Sequence, residues 1–141
     1  MSFNPADNIQ DLQNFGEFGG VNPSISDSST YTFMAAKTMA DTFEGNTDGC
    51  HLYSRHTTPS NLCLGDALAA MEGTETANVS ASGMGAITPV LLQLVGAGEH
   101  IVSSRTIYGG TYAFLKNFTP KFGIKTTFVD ITKIDIVEAA I

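Results

Sequence analysis

The sequence is poor in several residue types whose abundance would point to particular classes of protein. It contains no tryptophan, two cysteines, and seven basic residues against 14 acidic ones, which leaves a net charge of −7. Two cysteines are too few for a disulfide scaffold, and Cys50 and Cys63 lack the spacing of metal ligands. We therefore expect free thiols in a reducing compartment, by default the cytoplasm, and no metal site. The shortage of Lys and Arg argues against a nucleic-acid-binding surface.

Long hydrophobic runs are also absent. The longest apolar stretch, residues 86–97, is interrupted by Thr88, Pro89 and Gln93 and is shorter than the roughly 20 residues of a membrane-spanning helix. The first ten residues lack the basic and apolar regions of a secretory signal. With 43% apolar and 15% charged residues, the chain has the composition of a globular protein and is not expected to bind a membrane.

Residues 1–57 are predicted to form an N-terminal arm. Their first part is rich in Asn, Ser, Gly, Asp and Thr, and its glycines favour turns over helix. Large apolar side chains are nevertheless spaced along it: Phe15, Phe18, Val21, Ile25, Tyr31 and Phe33. A free linker would have no use for these side chains, so we expect the arm to pack on another surface. One short helix is expected, over residues 34–44.

Residues 58–141 show alternating helical and strand-like patterns. Thr58 can cap a helix that begins at Pro59, since proline tolerates the first helical position. The other elements predicted are strands over residues 77–81, 100–103 and 124–129 and helices that begin near residues 83, 109 and 130. This alternation predicts an α/β domain with a mostly parallel sheet, and three strands with one short last helix suggest that the domain is truncated. Pro89 predicts either a kink in the helix that begins near residue 83 or a later start of that helix.

The segment Ser82-Gly83-Met84-Gly85 lies between a predicted strand and a predicted helix. The first backbone N–H groups of a helix have no partner within it, and together with the helix dipole they form a site for an anion such as phosphate. Glycine there would let a ligand approach closely. A plain turn with glycines for tight packing is the alternative. The segment matches neither of the two common glycine-rich nucleotide motifs.

Three further side chains are candidates for ligand binding. Arg55, one of only two arginines, lies two residues after Tyr53, and both side chains can donate hydrogen bonds to phosphate. Tyr108 follows a predicted strand, where ligands of open α/β sheets bind, and could cover a planar ligand. The alternatives are a surface ion pair for Arg55 and an aromatic cover over the core for Tyr108.

Three separated motifs of the chain resemble the Cys/Met-metabolism family of pyridoxal-phosphate enzymes. They are YSRHTTPS at residues 53–60, ALAAMEGTETANVSASGMGAI at 67–87, and the segment GEHIVSS to FVD at 98–130. The family includes cystathionine gamma-synthases, methionine gamma-lyases and O-acetylhomoserine sulfhydrylases. The resemblance implies a fold-type-I PLP-dependent transferase-like architecture, in which residues 1–57 are an arm that contacts a neighbouring subunit. Residues 58–141 would then be the first part of the domain that binds pyridoxal 5′-phosphate.

The resemblance also implies roles for individual residues. Ser82, Gly83 and Met84 match the family's phosphate-binding segment, and Tyr53 and Arg55 match a pair that a partner subunit contributes to the same phosphate. Tyr108 matches a catalytic tyrosine that stacks on the pyridine ring and transfers protons. The implied protein is a homo-oligomer, a dimer or tetramer with shared active sites. Its reaction would be elimination or replacement at Cγ of an amino acid such as methionine, cystathionine or a homoserine ester.

The chain departs from the family pattern in two ways. None of its five lysines matches the family's Schiff-base lysine, which follows a Ser-x-Thr-type segment. Thr132-Lys133 imitates the Thr-Lys dipeptide of that segment but has no flanking match. No aspartate matches the one that holds the pyridine nitrogen in the family. The 141-residue chain is therefore expected to be inactive by itself, with a non-catalytic assembly module or a phosphate-binding fragment as alternatives. In addition, Thr58 replaces a usual Asn, and Gly110 replaces the Cys typical of methionine gamma-lyases, which favours the sulfhydrylases and gamma-synthases.

Overall fold

The computed structural model describes residues 3–12, 16–46 and 49–141, so that Phe15 of the predicted arm lies outside the described residues. Six α-helices and two strands are found in these ranges: α1 Pro5–Asp11, α2 Ala36–Phe43, α3 Pro59–Glu72, α4 Gly83–Leu94, β1 His100–Ser104, α5 Gly109–Ala113, β2 Lys125–Val129 and α6 Ile134–Ala140. A π-helical turn, Phe114–Phe118, and a 3-10 turn, Thr119–Phe122, extend α5, and another 3-10 turn spans Glu17–Gly19. The chain forms two compact units, residues 1–79 and 80–141.

The first unit is built on α3, which begins and ends as its sequence predicts. The Thr58 side chain accepts a hydrogen bond from the Asn61 N–H at 3.1 Å, and Pro59 occupies the first turn. Gly73 ends the helix with φ of 69°, in the left-handed region where glycine carries no steric penalty. The predicted helix over residues 34–44 is also present, as α2.

Helix α1 departs from the prediction, which takes residues 1–33 as an extended arm with little periodicity. The Asn4 side chain caps it by accepting from the Ala6 N–H at 3.1 Å, and Pro5 follows at the first helical position. The Asn8 amide donates to the Ala70 carbonyl at 3.2 Å, so α1 packs against α3. An Asn-Pro pair is a start signal for a helix, and the absence of apolar periodicity after it concealed the helix.

The first predicted strand, residues 77–81, is wrong. These residues form no strand in the structure, and within the described ranges the sheet contains β1 and β2 alone. The Ala77 carbonyl lies against α3, where a Cβ on Gly65 would come within 2.6 Å of the Ala77 oxygen. Alternating side chains indicate a strand, but a strand also needs a hydrogen-bonded neighbour, and this segment has none in the described chain.

The second unit contains the other two predicted strands, which pair in parallel. His100 lies opposite Lys125 and Ser104 opposite Val129, so both strands end at the same edge. The connection through α5 returns the chain to the sheet as a parallel crossover requires. The core of this second unit includes Leu115 and Ile124, each 2% exposed.

Helix α4 runs from Gly83 to Leu94 and contains Pro89 in its interior. The helix therefore starts where the glycine segment predicted, and the later start that Pro89 suggested is wrong. Since proline has no N–H, the Gly85 carbonyl one turn earlier receives no bond from it. Within the described ranges, no helix is both long and apolar enough to cross a membrane.

Candidate functional site

The N-terminus of α4 contains the three residues predicted to bind phosphate. Ser82 is the N-cap, with extended backbone angles, and its Oγ accepts a hydrogen bond from the Gly85 N–H at 2.9 Å. Its carbonyl accepts from the Ala86 N–H at 3.0 Å, the first bond of the helix. The cap also explains Gly85, because a Cβ there would lie 2.9 Å from the Ser82 Oγ.

The two N–H groups ahead of Gly85 remain available to a ligand. Neither the Gly83 nor the Met84 N–H has a hydrogen-bond acceptor within the described part of the chain. Gly83 is exposed, and a Cβ added to it would meet no atom within 4 Å. The Ser82 hydroxyl, which accepts from Gly85, can still donate its own proton. Three donors at the positive end of a 12-residue helix fit an anionic group such as a phosphate.

Tyr108 lies in the same unit, as the N-cap of α5, and is 71% exposed. Its ring contacts Gly110, because a Cβ on Gly110 would come within 2.6 Å of the Tyr108 Cε1. The same Cβ would lie 3.3 Å from the Met84 Sδ, and the Thr111 hydroxyl is 3.6 Å from that sulfur. Tyr108 and Met84 of the α4 N-terminus thus both lie close to Gly110.

Tyr53 and Arg55 lie together in the first unit. The Arg55 guanidinium is 5.2 Å from the centre of the Tyr53 ring, a cation–π contact. Tyr53 forms a β-bridge with Thr30, and its carbonyl accepts from the N–H groups of His56 and Thr57. Both side chains line a cavity of about 620 Å³ whose walls include Tyr31 and Phe33. Arg55 has no ion pair among the described residues, which leaves its donors available.

Arg105 and Asp130 form an ion pair that the sequence patterns did not predict. The Arg105 Nη2 lies 2.9 Å from the Asp130 Oδ2. The Thr132 hydroxyl and backbone N–H also donate to the Asp130 carboxylate, and these two hydrogen bonds are the main cause of its lowered pKa. Desolvation opposes them, and the charge of Arg105 adds a smaller lowering effect. Both residues directly follow the carboxyl ends of neighbouring strands, and that position could have indicated the pair.

Potential metal ligands are not clustered. In residues 3–12, 16–46 and 49–141, no group of three or more His, Cys, Asp or Glu side chains could hold a metal ion. In the second unit, the donors at the α4 N-terminus are the Ser82 hydroxyl and the Gly83 and Met84 amides.

Comparisons with known proteins agree with one family. The family model described as "Cys/Met metabolism PLP-dependent enzyme" matches residues 7–141. The chain is 46% identical over 133 residues to a methionine gamma-lyase of Arabidopsis thaliana, covering 91% of this chain and 30% of that protein. It is 38% identical to the chloroplastic cystathionine gamma-synthase 1 of the same plant, covering 83% of this chain and 21% of that protein.

A solved structure is similar over nearly the whole chain. It is an O-acetylhomoserine (thiol)-lyase from Campylobacter jejuni that contains an N′-pyridoxyl-lysine-5′-monophosphate. The TM-score is 0.89 at 30% identity, and the match covers 99% of this chain and 35% of that one. The predicted α/β architecture of fold-type-I PLP-dependent enzymes is confirmed as a partial domain of helices and a small sheet. The chain spans about a third or less of the length of these proteins.

Proposed function

The chain belongs to the family of Cys/Met metabolism PLP-dependent enzymes, and from this premise we propose that it is the N-terminal part of an enzyme acting on sulfur amino acids. The observation that carries the proposal concerns the α4 N-terminus. The Gly83 and Met84 N–H groups there have no acceptor in the described chain, and a Cβ on Gly83 would meet no atom within 4 Å. Pyridoxal phosphate is the family's cofactor, and its phosphate is an anion of the kind that these donors bind.

Ser82, Gly83 and Met84 would hold the phosphate of the cofactor. The two backbone N–H groups and the Ser82 hydroxyl donate hydrogen bonds to its oxygens, and the helix dipole stabilises its charge. When bound, pyridoxal phosphate supplies an electron sink for carbanion chemistry at the substrate. The residues at the α4 N-terminus would thus anchor the cofactor.

Tyr53 and Arg55 would bind the same phosphate from a second subunit, so that the active site is shared in a homo-oligomer. The Arg55 guanidinium offers a planar fork of donors, and its stacking on Tyr53 holds the fork in one orientation. This assignment predicts that Arg55→Ala weakens phosphate affinity only in the oligomer. Phosphate titrations on species separated by analytical ultracentrifugation would test it. An oligomer of the Arg55→Ala variant that binds phosphate as tightly as the original oligomer would contradict the assignment.

Tyr108 would be a catalytic residue. Its exposed ring can lie over a planar cofactor, and its Oη can give or accept a proton. The proximity of the Tyr108 Cε1 and of the Met84 Sδ to Gly110 supports this assignment. The reaction would be an elimination or a replacement at Cγ of methionine, cystathionine or a homoserine ester.

The 141-residue chain is proposed to have no turnover by itself. None of its five lysines, Lys37, Lys116, Lys121, Lys125 and Lys133, lies in a segment that matches the family's cofactor-bearing lysine. Borohydride reduction with pyridoxal phosphate, followed by mass spectrometry, tests this. A single specific lysine adduct would contradict the proposal, whereas its absence fits either an inactive part of the enzyme or a phosphate-binding fragment. The cytoplasmic location stays a prediction.

The phosphate site is tested by Gly83→Ala. The added Cβ meets no atom of the chain, so the variant should fold and gain about 0.4–1 kcal/mol of stability from its less flexible unfolded state. The same Cβ would obstruct a ligand that approaches the backbone. We expect weaker binding of pyridoxal phosphate, measured from amide NMR shifts of residues 83 and 84. Gly96→Ala beyond the other end of α4, where the nearest atom is 3.5 Å away, is the matched control. Equal affinity in both variants would contradict the proposed site.

A further inference from the structure

The carboxyl ends of β1 and β2 are tied together by Arg105. Its backbone N–H donates to the Val129 carbonyl at 2.9 Å, and its Nη2 donates to the Asp130 Oδ2 at 2.9 Å. Ser104 and Val129 are the last paired positions of the strands. Arg105 therefore binds the end of β2 through its main chain and Asp130, the first residue of the loop that follows, through its side chain.

The carboxylate of Asp130 is held in place from its other side. Its Oδ1 accepts from the Thr132 hydroxyl at 2.7 Å and from the Thr132 N–H at 3.2 Å, while Oδ2 faces Arg105. Because both oxygens are bonded, the carboxylate has one preferred orientation. The acceptor that Arg105 meets is therefore a fixed group.

Tyr108 is separated from this tie by a short, internally bonded segment. The Ser104 Oγ accepts from the Thr106 N–H at 3.1 Å, and the Ser104 carbonyl accepts from the Ile107 N–H at 3.4 Å. The next residue, Tyr108, caps α5, and its carbonyl accepts from the Tyr112 N–H at 2.9 Å. Because these hydrogen bonds hold the segment between Arg105 and Tyr108, a shift of Arg105 should also shift Tyr108.

We propose that Arg105 and Asp130 are positioning residues for Tyr108, which set the place from which its ring projects. The inference rests on the proposed catalytic function of Tyr108. The Arg105 and Asp130 side chains are 63% and 24% exposed, and pairs this exposed add little stability. Their removal should therefore alter the position of the ring more than the stability of the fold.

The test is NMR of the 141-residue chain with labelled tyrosine, in which Tyr108→Phe assigns the Tyr108 signal. Arg105→Met keeps the unbranched apolar stem of the side chain without the guanidinium and its charge, and Asp130→Asn keeps the shape of the carboxylate. The exchange of both, Arg105→Asp with Asp130→Arg, restores opposite charges. Lys37→Met is the matched control, because Lys37 and Asp41 form an ion pair of the same length, 2.9 Å, in α2.

We expect the Tyr108 signal to shift and broaden in both single variants, to return toward its original position in the exchanged pair, and to be unchanged in Lys37→Met. Sodium chloride near 1 M should shift the signal of the original chain in the same direction, since the Debye length at that ionic strength falls to about 3 Å, comparable to the 2.9 Å between the two side chains, and this arm needs no substitution. An unchanged Tyr108 signal in both single variants and in salt overturns the inference. A purely structural role would lower the unfolding temperature without moving the signal of the folded state, and that outcome overturns it too.

The proposed function is tested separately by the response of the Gly83 and Met84 amides to pyridoxal phosphate. If Tyr108 moves in the variants while these amides ignore the cofactor, the positioning role stands and the proposed function fails. If the amides respond and Tyr108 does not move, the inference alone fails.

Discussion

Replacement of Ser82 separates two functions that the structure assigns to one hydroxyl. As N-cap of α4, its Oγ accepts from the Gly85 N–H at 2.9 Å. As part of the proposed anchor, the same hydroxyl donates to a phosphate. Ser82→Ala removes both functions, whereas Ser82→Asp keeps an acceptor for Gly85 and places a negative charge beside the anion. The two variants should therefore differ in stability and resemble each other in weakened phosphate binding.

The cost in stability follows from the cap. Replacing a serine N-cap by alanine costs about 1 kcal/mol, within a range of about 0.5–2 kcal/mol, because one amide of the first turn loses its acceptor. Aspartate caps about as well as serine and its charge favours the helix N-terminus, so Ser82→Asp should unfold close to the original chain.

The effect of Ser82→Asp on binding follows from Coulomb repulsion. Two like charges about 4 Å apart repel by about 1 kcal/mol in water and about 4 kcal/mol at an effective dielectric of 20. For a phosphate dianion the lower limit is about 2 kcal/mol, which corresponds to a loss of roughly thirtyfold in affinity. The loss should shrink as salt is added.

Urea unfolding followed by NMR signals of residues 80–141, with phosphate and pyridoxal phosphate titrations, measures both effects. Thr58→Ala is the matched control, because Thr58 caps α3 with the same geometry, at 3.1 Å from the Asn61 N–H. It should destabilise the first unit by about 1 kcal/mol and leave phosphate affinity unchanged. The reasoning is refuted if Ser82→Asp binds phosphate as tightly as the original chain, or if Ser82→Ala unfolds at the same urea concentration.

Three other predictions concern the second unit. Leu115→Ala should lower the free energy of unfolding by about 2–5 kcal/mol, because Leu115 is 2% exposed. If the shift of the urea midpoint corresponds to less than about 1 kcal/mol, the core is arranged differently. Gly110→Ala should displace the Tyr108 ring, since its Cβ would lie 2.6 Å from Cε1, whereas Gly109→Ala, with no atom within 4 Å, should not; identical Tyr108 NMR signals in both would exclude the contact. The lowered pKa of Asp130 means that its contribution to stability is present above its ordinary pKa of 3.8 and is lost as the pH falls through the folded value; a carboxyl NMR titration with a midpoint at or above 3.8 would contradict this.

Much of the fold could be predicted because its signals are local. Thr58, Pro59 and Gly73 mark the ends of α3, and the polar and apolar pattern marks β1 and β2. The prediction failed at residues 77–81, because a strand depends on a partner that local alternation does not reveal. It failed again at α1, where the signal was a cap and a proline without periodicity.

Part of the candidate site could also be predicted from the sequence. The phosphate segment depends on the composition of one helix start, and the structure describes Gly83 and Met84 with the unpaired N–H groups that such a start leaves. The contact of Tyr108 with Gly110 and the Arg105–Asp130 pair required three-dimensional information. Their partners come from the packing of separate turns and from the register of parallel strands.

The sequence by itself determined where α3 begins and ends, where α4 begins, which family motifs are present, and where an anion could meet free N–H groups. These properties depend on neighbours within a few positions along the chain. The tertiary structure decided which strands pair, how α1 packs on α3, and that Arg105 reaches Asp130, 25 residues away in the chain. Those outcomes depend on contacts between distant segments, whose free energy is realised only when the chain has folded.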